Sequence, residues 1–171
     1  MYTTGEKSLL LTEHSKNPLE TYVDFGSDPK TRKSQTRFVI RTFGSTVAWY
    51  SEKQTTVSMS STEYKYVALA TAASYTCGVK HLLQEFLVDV NDAIPLFEDN
   101  QPALQVAQGS SKIKHLDVKL HFVRGLVRRA VTLVYVASEH QFADFVTKAS
   151  PKRSFKVIRN NFGIVGNKGK C

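Results

Sequence analysis

Three strand-like segments lie close together near the start of the chain, and a long helical segment follows them. Alternating, β-branched and aromatic residues predict strands over 19–25, 37–43 and 46–51, with a hairpin turn at Gly44 and Ser45 between the last two. Strands joined this closely pair as antiparallel neighbours, and the sheet they form needs a helix to cover its apolar face. This order restricts the chain to a mixed α/β fold.

The long helix is predicted from about residue 60 to residue 87. Ser60, Ser61 and Thr62 are favourable N-cap residues at its start. Its predicted inward face is a stripe at steps of three and four residues, formed by Leu69, Ala72, Thr76, Val79, Leu83 and Phe86. Four residues before Leu69 this stripe reaches Lys65, which is therefore expected to face the sheet.

The remaining segments alternate between strands and helices. A strand is predicted over 94–98, a short helix from Asn100, a strand over 131–136, and helices over 115–129, 140–148 and 151–161. The predicted fold is thus α/β, with a five-stranded mixed sheet of three antiparallel strands followed by parallel strands, and with helices on both faces. Residues 19–162 form the predicted domain, between an N-terminal tail over 1–18 and a flexible basic tail over 163–171.

The charge balance favours a polyanionic partner. Lys and Arg number 23 against 15 Asp and Glu, for a net charge of +8, and nucleic acid is the first candidate. Two basic clusters are candidate phosphate contacts, although solvated faces explain many such runs: Lys30, Arg32, Lys33 and Arg37, and Lys112, Lys114, Lys119 and Arg124. The apolar run Leu9–Leu11 is too short for a membrane span or a signal sequence, so an intracellular, soluble protein is expected.

Three aspartates are candidates for metal chemistry at one crevice. Asp24 lies near the end of the first long strand, Asp99 directly follows the strand over 94–98, and Asp144 lies in a predicted terminal helix. Carboxylates at strand ends can hold two Mg²⁺ ions for phosphodiester hydrolysis. On the residues alone, the favoured interpretation is that Asp99 only caps the helix at Asn100 and that Asp144 is a surface residue of a helix. Trp49 is expected to pack in the core rather than to stack on a ligand.

Four motifs in this order resemble those of the copia-type ribonuclease H family. They are VSMSSTE at 57–63, EDNQPA at 98–103, KHLDVKLHFVR at 114–124 and QFADFVTK at 141–148. The resemblance runs from about residue 19 to residue 162, and the preceding residues are similar to the connection that follows the polymerase in such Pol polyproteins.

The resemblance implies a ribonuclease H-like fold and an endoribonuclease (hydrolase) activity on RNA·DNA hybrid during reverse transcription. It implies Mg²⁺ as cofactor, as two ions with Mn²⁺ as a substitute, held by Asp24, Asp99 and Asp144 together with a glutamate. Asp28 is a less favoured alternative to Asp24. The implied partners are the hybrid and the adjacent reverse transcriptase domain of the polyprotein, with no membrane. The implied location is cytoplasmic, in virus-like particles, with the nucleus as an alternative.

Lys65 is the departure from the family pattern. The second glutamate of the family's helix-opening segment falls at this position, and here it is a lysine. An ammonium group near the metal ions would repel them, so this copy is predicted to be catalytically impaired. Glu63 is a less favoured substitute, because two helical residues are separated by about 200° around the axis. The alternative function is a non-catalytic nucleic-acid-binding module or a structural part of the polyprotein.

Overall fold

The chain folds around a five-stranded sheet with helices packed against it. The computed structural model describes residues 7–9, 17–27, 34–54, 61–90, 92–109, 125–126, 129–146 and 164–166. Within these ranges, side chains are described except those of residues 7–9, 27, 61–64, 145–146 and 164–166. The helix predicted over 115–129 lies mostly outside the described residues, and the one predicted over 151–161 lies wholly outside them.

The main sheet combines an antiparallel half with a parallel half, as predicted. Its strands lie in the order β4-β3-β2-β5-β6. The first three pair antiparallel, whereas β2 with β5 and β5 with β6 pair parallel. A separate antiparallel pair, β1 with β7, joins segments predicted as tails. The strand bounds are β1 Lys7–Leu9, β2 Leu19–Ser27, β3 Ser34–Thr42, β4 Ser45–Lys53, β5 Ile94–Glu98, β6 Val131–Tyr135 and β7 Ile164–Gly166.

The long helix α1, Ser61–Glu85, covers one face of this sheet. Leu69, Ala72 and Thr76 of the predicted stripe are completely buried, and the Thr76 hydroxyl lies 2.8 Å from that of Thr21 on β2. This buried hydrogen bond fixes the rotation of the helix against the sheet. The prediction is wrong at Phe86, which is 71% exposed because it follows the last helical residue.

The prediction that Trp49 packs in the core is also wrong. Strand β4 is an edge strand, and its successive side chains alternate between the two faces of the sheet. Tyr50 stacks on Phe38 at a ring centroid distance of 4.8 Å on the face that packs against α1. Trp49, one residue earlier, is on the other face and is 69% exposed.

The turn between β3 and β4 is formed by Phe43 and Gly44, one residue earlier than predicted. Their φ angles are 50° and 81°, in the left-handed region that two-residue hairpin turns require. Glycine adopts this conformation without strain, but phenylalanine does not.

Replacing Phe43 with asparagine is therefore expected to stabilise the protein. Phe43→Asn should raise the free energy of unfolding by about 0.5 to 1 kcal/mol, because asparagine tolerates the left-handed conformation. Urea denaturation measures the change. Phe86→Asn, at an exposed apolar residue outside the hairpin, is the matched control and should have little effect. A Phe43→Asn variant less stable than the parent would contradict the prediction.

The segments after β5 and β6 bring polar residues to one edge of the sheet. Helix α2, Gln101–Gln108, begins at Asn100, whose side-chain oxygen accepts a hydrogen bond from the Ala103 amide at 2.9 Å. The α-helix predicted over 140–148 is wrong in type: Ser138–His140 and Phe142–Val146 form two short 3₁₀ helices. Among the described residues, no helix has the length and apolar character needed to cross a bilayer.

Candidate active site

The parallel pairing of β2 with β5 brings two of the predicted aspartates together. The last residues in register are Val23 and Glu98, so Asp24 and Asp99 follow them at the same level of the sheet. The third aspartate, Asp144, lies in the second 3₁₀ helix, and its side chain shares a hydrogen bond with Asp24. Asn100 caps α2, so Asp99 is not the helix cap. The structure thus groups the three predicted aspartates.

This grouping makes Asp24 hard to ionise. The residue is only 5% exposed. Burial, the hydrogen bond and negative charge of Asp144, and the negative charge of Asp99 together raise the pKa of Asp24 to about 7. The rise prevails although the Arg37 guanidinium lies 3.4 Å away. Asp24 therefore keeps its proton to a higher pH than an ordinary aspartate does.

Glu98 is a fourth carboxylate of the cluster, and the sequence interpretation missed it. It is completely buried, on the face of β5 that carries Ile94 and Leu96. One carboxylate oxygen, Oε1, accepts a hydrogen bond from the Asn100 amide at 3.2 Å, whereas Oε2 is buried with no hydrogen-bond partner among the described residues. Burial raises the pKa of Glu98 well above its usual value, Lys65 lowers it, and the nearby aspartates raise it. The alternation of Ile94, Leu96 and Glu98 along β5 is the sequence signal that could have predicted an inward Glu98.

Lys65 extends from the first turns of α1 to this cluster. It lies about three helical turns before Thr76, so both face the sheet. Its Nζ atom is 3.9 Å from Asp99 Oδ1, and its side chain is 19% exposed. The second oxygen of Asp99 accepts a hydrogen bond from the Ser138 hydroxyl at 2.8 Å. The side chain of Glu63, the alternative residue, lies outside the described part of the chain.

Arg37 is the only described member of the two predicted phosphate-binding clusters. It lies on β3 directly opposite Asp24 on β2. Its guanidinium is 3.4 Å from Asp24 Oδ2 and donates a hydrogen bond to Gln35 at 3.1 Å. The other predicted contacts and Asp28 lie outside the described residues: Lys30, Arg32, Lys33, Lys112, Lys114, Lys119 and Arg124.

Gln141, between the two 3₁₀ helices, is a second residue that the sequence interpretation missed. Its side chain is completely buried. The amide nitrogen donates to the Val23 carbonyl of β2 at 2.8 Å and approaches the Phe97 carbonyl of β5 at 3.5 Å, near the last residues in register between the two strands. The amide oxygen accepts from the Ala143 backbone at 3.3 Å. Gln141 therefore ties the segment that carries Asp144 to both strands of the site. Its only sequence signal was membership of the 141–148 motif.

Comparisons with known proteins show what this chain is similar to. No protein-family model matches the chain. It is 26% identical over 151 residues to the Retrovirus-related Pol polyprotein from transposon TNT 1-94 of Nicotiana tabacum, which covers 86% of this chain. It is 25% identical over 174 residues to the corresponding polyprotein from transposon RE2 of Arabidopsis thaliana, which covers 98% of this chain. These matches span only 11% and 12% of the two polyproteins.

A solved structure shows the fold. The crystal structure of LC11-RNase H1 in complex with RNA/DNA hybrid superposes with a TM-score of 0.57 and 18% identity, over 80% of this chain and 99% of that one. The chain is homologous to a segment of copia-type Pol polyproteins. It has a ribonuclease H fold. Both the resemblance and the fold class predicted from the sequence are confirmed.

The divalent metal ions that the family resemblance implies fit this carboxylate cluster poorly, because two protein cations lie against it. The carboxylate oxygens are suitable donors, and Asp99 Oδ1 and Glu98 Oε2 are buried without a hydrogen bond from any residue that the structure describes. However, Lys65 lies 3.9 Å from that same Asp99 oxygen, and Arg37 lies against Asp24. Across the described part of the chain, no group of three or more His, Cys, Asp or Glu residues is arranged to hold a metal ion.

Proposed function

We propose that this chain is a ribonuclease H domain that binds RNA·DNA hybrid and whose cleavage of the RNA strand is impaired. The observation that carries the proposal is the Lys65 ammonium 3.9 Å from Asp99 in a cluster of carboxylates. Divalent ions in such a site would activate water and stabilise the leaving oxygen. An ammonium in the cluster repels those ions and neutralises the carboxylates that would bind them.

Hybrid binding is supported by fold and charge. The solved relative with this fold is described as bound to an RNA/DNA hybrid. The net charge of +8 is suited to a polyanion, and the carboxylate cluster lies where the parallel pairing of β2 with β5 ends, at an edge where α/β sheets usually bind ligands. We propose Asp24, Asp99 and Asp144 as the catalytic carboxylates of the ancestral enzyme, with Lys65 at the position of its glutamate.

The polyprotein context gives the partner and the place of action. The relatives are roughly eight to nine times longer than the matched region, and they are Pol polyproteins. We propose an adjacent reverse transcriptase domain as partner, and virus-like particles in the cytoplasm as the site of action if the protein is expressed.

A non-catalytic nucleic-acid-binding module is the second candidate. The observation that favours it is that two protein cations, Lys65 and Arg37, lie against Asp99 and Asp24. In this case the domain would hold the hybrid, and no divalent ion would be needed for its affinity.

Hybrid binding without divalent ions is expected, with a strong dependence on salt. If about four phosphates are contacted, the affinity for a labelled RNA·DNA hybrid in EDTA should fall about 100-fold between 50 and 200 mM salt. Fluorescence anisotropy measures this. A DNA duplex of the same sequence is the matched competitor and should bind more weakly, because it lacks the 2′-hydroxyls and the hybrid's geometry. Equal affinity at both salt concentrations, or no binding, would contradict the proposal.

A further inference from the structure

We infer that Arg37 is a built-in counter-ion of Asp24 and that, together with Lys65, it takes the charge role of divalent cations in this site. The inference rests on the proposed function, because it concerns the same carboxylates. It adds a second residue, on a different element from Lys65, that limits cation binding. It also assigns Arg37 to the interior of the site rather than to a phosphate of the hybrid.

The first support is the position of Arg37 in the sheet. Arg37 on β3 and Asp24 on β2 are directly paired across the antiparallel ladder, so their side chains leave the same face next to each other. The ion pair they form is 3.4 Å long, and the two side chains are only 12% and 7% exposed. A guanidinium so enclosed has little surface left for a phosphate.

The second support is a glycine that makes room for the guanidinium. A Cβ atom added at Gly26 would lie 2.6 Å from Cζ and both terminal nitrogens of Arg37. Any side chain at residue 26 would therefore displace the guanidinium. The backbone of β2 thus leaves open the space that the Arg37 guanidinium occupies beside Asp24.

The third support is a chain of hydrogen bonds that holds Arg37 in place. Its second terminal nitrogen donates to the Gln35 side-chain oxygen at 3.1 Å, and the Gln35 nitrogen donates to the Ser51 hydroxyl at 2.8 Å. This series of hydrogen bonds runs from β4 across β3 to β2 and ends at Asp24. A guanidinium held in this way stays beside Asp24, whereas a mobile one would leave whenever a divalent ion arrived.

Metal binding without nucleic acid tests the inference. Isothermal titration of Mg²⁺, and of Mn²⁺ as a tighter-binding probe, is carried out on the parent, Arg37→Gln, Lys65→Gln and the double variant. We expect about tenfold tighter binding for Arg37→Gln and about 100-fold for the double variant, because each change removes one positive charge from the carboxylates. Arg37→Lys keeps the charge but lacks the second guanidinium donor, so its ion affinity should lie between those of the parent and Arg37→Gln.

Gly26→Ala provides a test that leaves every charge in place. Its Cβ atom should push the guanidinium away from Asp24 and tighten Mg²⁺ binding over the parent. If Arg37→Gln fails to fold, the Mg²⁺ affinity of Gly26→Ala tests the inference in its place. Unchanged Mg²⁺ affinity in a folded Arg37→Gln or Gly26→Ala protein overturns the inference.

Hybrid binding separates this inference from the proposed function. Arg37→Gln should keep the parental salt dependence of hybrid binding in EDTA, because only direct phosphate contacts contribute to that dependence. A loss of affinity with a shallower salt dependence would make Arg37 a phosphate contact and overturn the inference while supporting hybrid binding. If the parent does not bind hybrid at all, the proposed function fails, and the Mg²⁺ titrations still decide the role of Arg37.

Discussion

Lys65→Glu is expected to raise the rate of Mg²⁺-dependent hybrid cleavage by about 100-fold over the parent. The parent has an ammonium 3.9 Å from Asp99, and the variant would have a carboxylate there. The interaction energy of two unit charges about 4 Å apart is up to about 4 kcal/mol near a protein surface. Each 1.36 kcal/mol of activation free energy changes the rate by a factor of about ten. The expected gain in rate is smaller than this limit, because Lys65 is partly exposed and Arg37 still lies beside Asp24 in the variant.

Single-turnover cleavage of end-labelled hybrid, in Mg²⁺ and in Mn²⁺, measures this gain. Lys65→Gln removes the positive charge without adding a ligand, so its rate should lie between those of the parent and Lys65→Glu. Lys53→Glu, at an exposed residue of β4, makes the same charge change away from the cluster and should leave the rate near that of the parent. Adding Arg37→Gln to Lys65→Glu should increase the rate further.

Rapid cleavage by the parent would contradict the proposed impairment. If the parent and Lys65→Glu cut equally well, another residue, with Glu63 the first candidate, supplies the fourth carboxylate. If neither cuts but both bind hybrid, the non-catalytic binding module is the better description of this copy.

Gln141→Ala is expected to lower the free energy of unfolding by about 3 kcal/mol, through unpaired buried groups and a small cavity. The side chain is completely buried, and its amide pairs with the Val23 carbonyl and the Ala143 amide. For a chain of 171 residues, the melting temperature should fall by roughly 6 to 12 °C. Differential scanning calorimetry and urea denaturation measure the two quantities.

Gln84→Ala is the matched control for this loss. Gln84 is exposed on α1, and alanine is a favourable helix residue, so stability should change little. A Gln141→Ala variant as stable as the control would mean that water replaces the lost hydrogen bonds. In the Lys65→Glu background, Gln141→Ala should also reduce cleavage at temperatures where the protein is fully folded, because Asp144 loses its attachment to β2 and β5.

Much of the fold was predictable because its signals are local. The strand over 94–98 was predicted with its observed bounds, and the first three strands were predicted to within a few residues. Predictions failed where local patterns lack the needed information. Trp49 was expected inside because it is large and apolar, but an edge strand exposes one of its faces. The 3₁₀ segments around Gln141 were expected to be one α-helix, because composition does not distinguish the two well.

The sequence by itself determined the order of the described strands and the direction of Lys65, and the motifs that resemble a known family indicated the three aspartates. The strands and the direction of Lys65 depend on residue periodicity and helix phase, which act over a few turns of chain. Only the tertiary structure decided that Arg37 lies against Asp24, that Glu98 is a buried fourth carboxylate, and that Gln141 joins two strands. Each of these contacts depends on which strands are neighbours and in which register. That information comes from packing between distant segments, because the free energy of burial is shared by the whole core rather than encoded at any one residue.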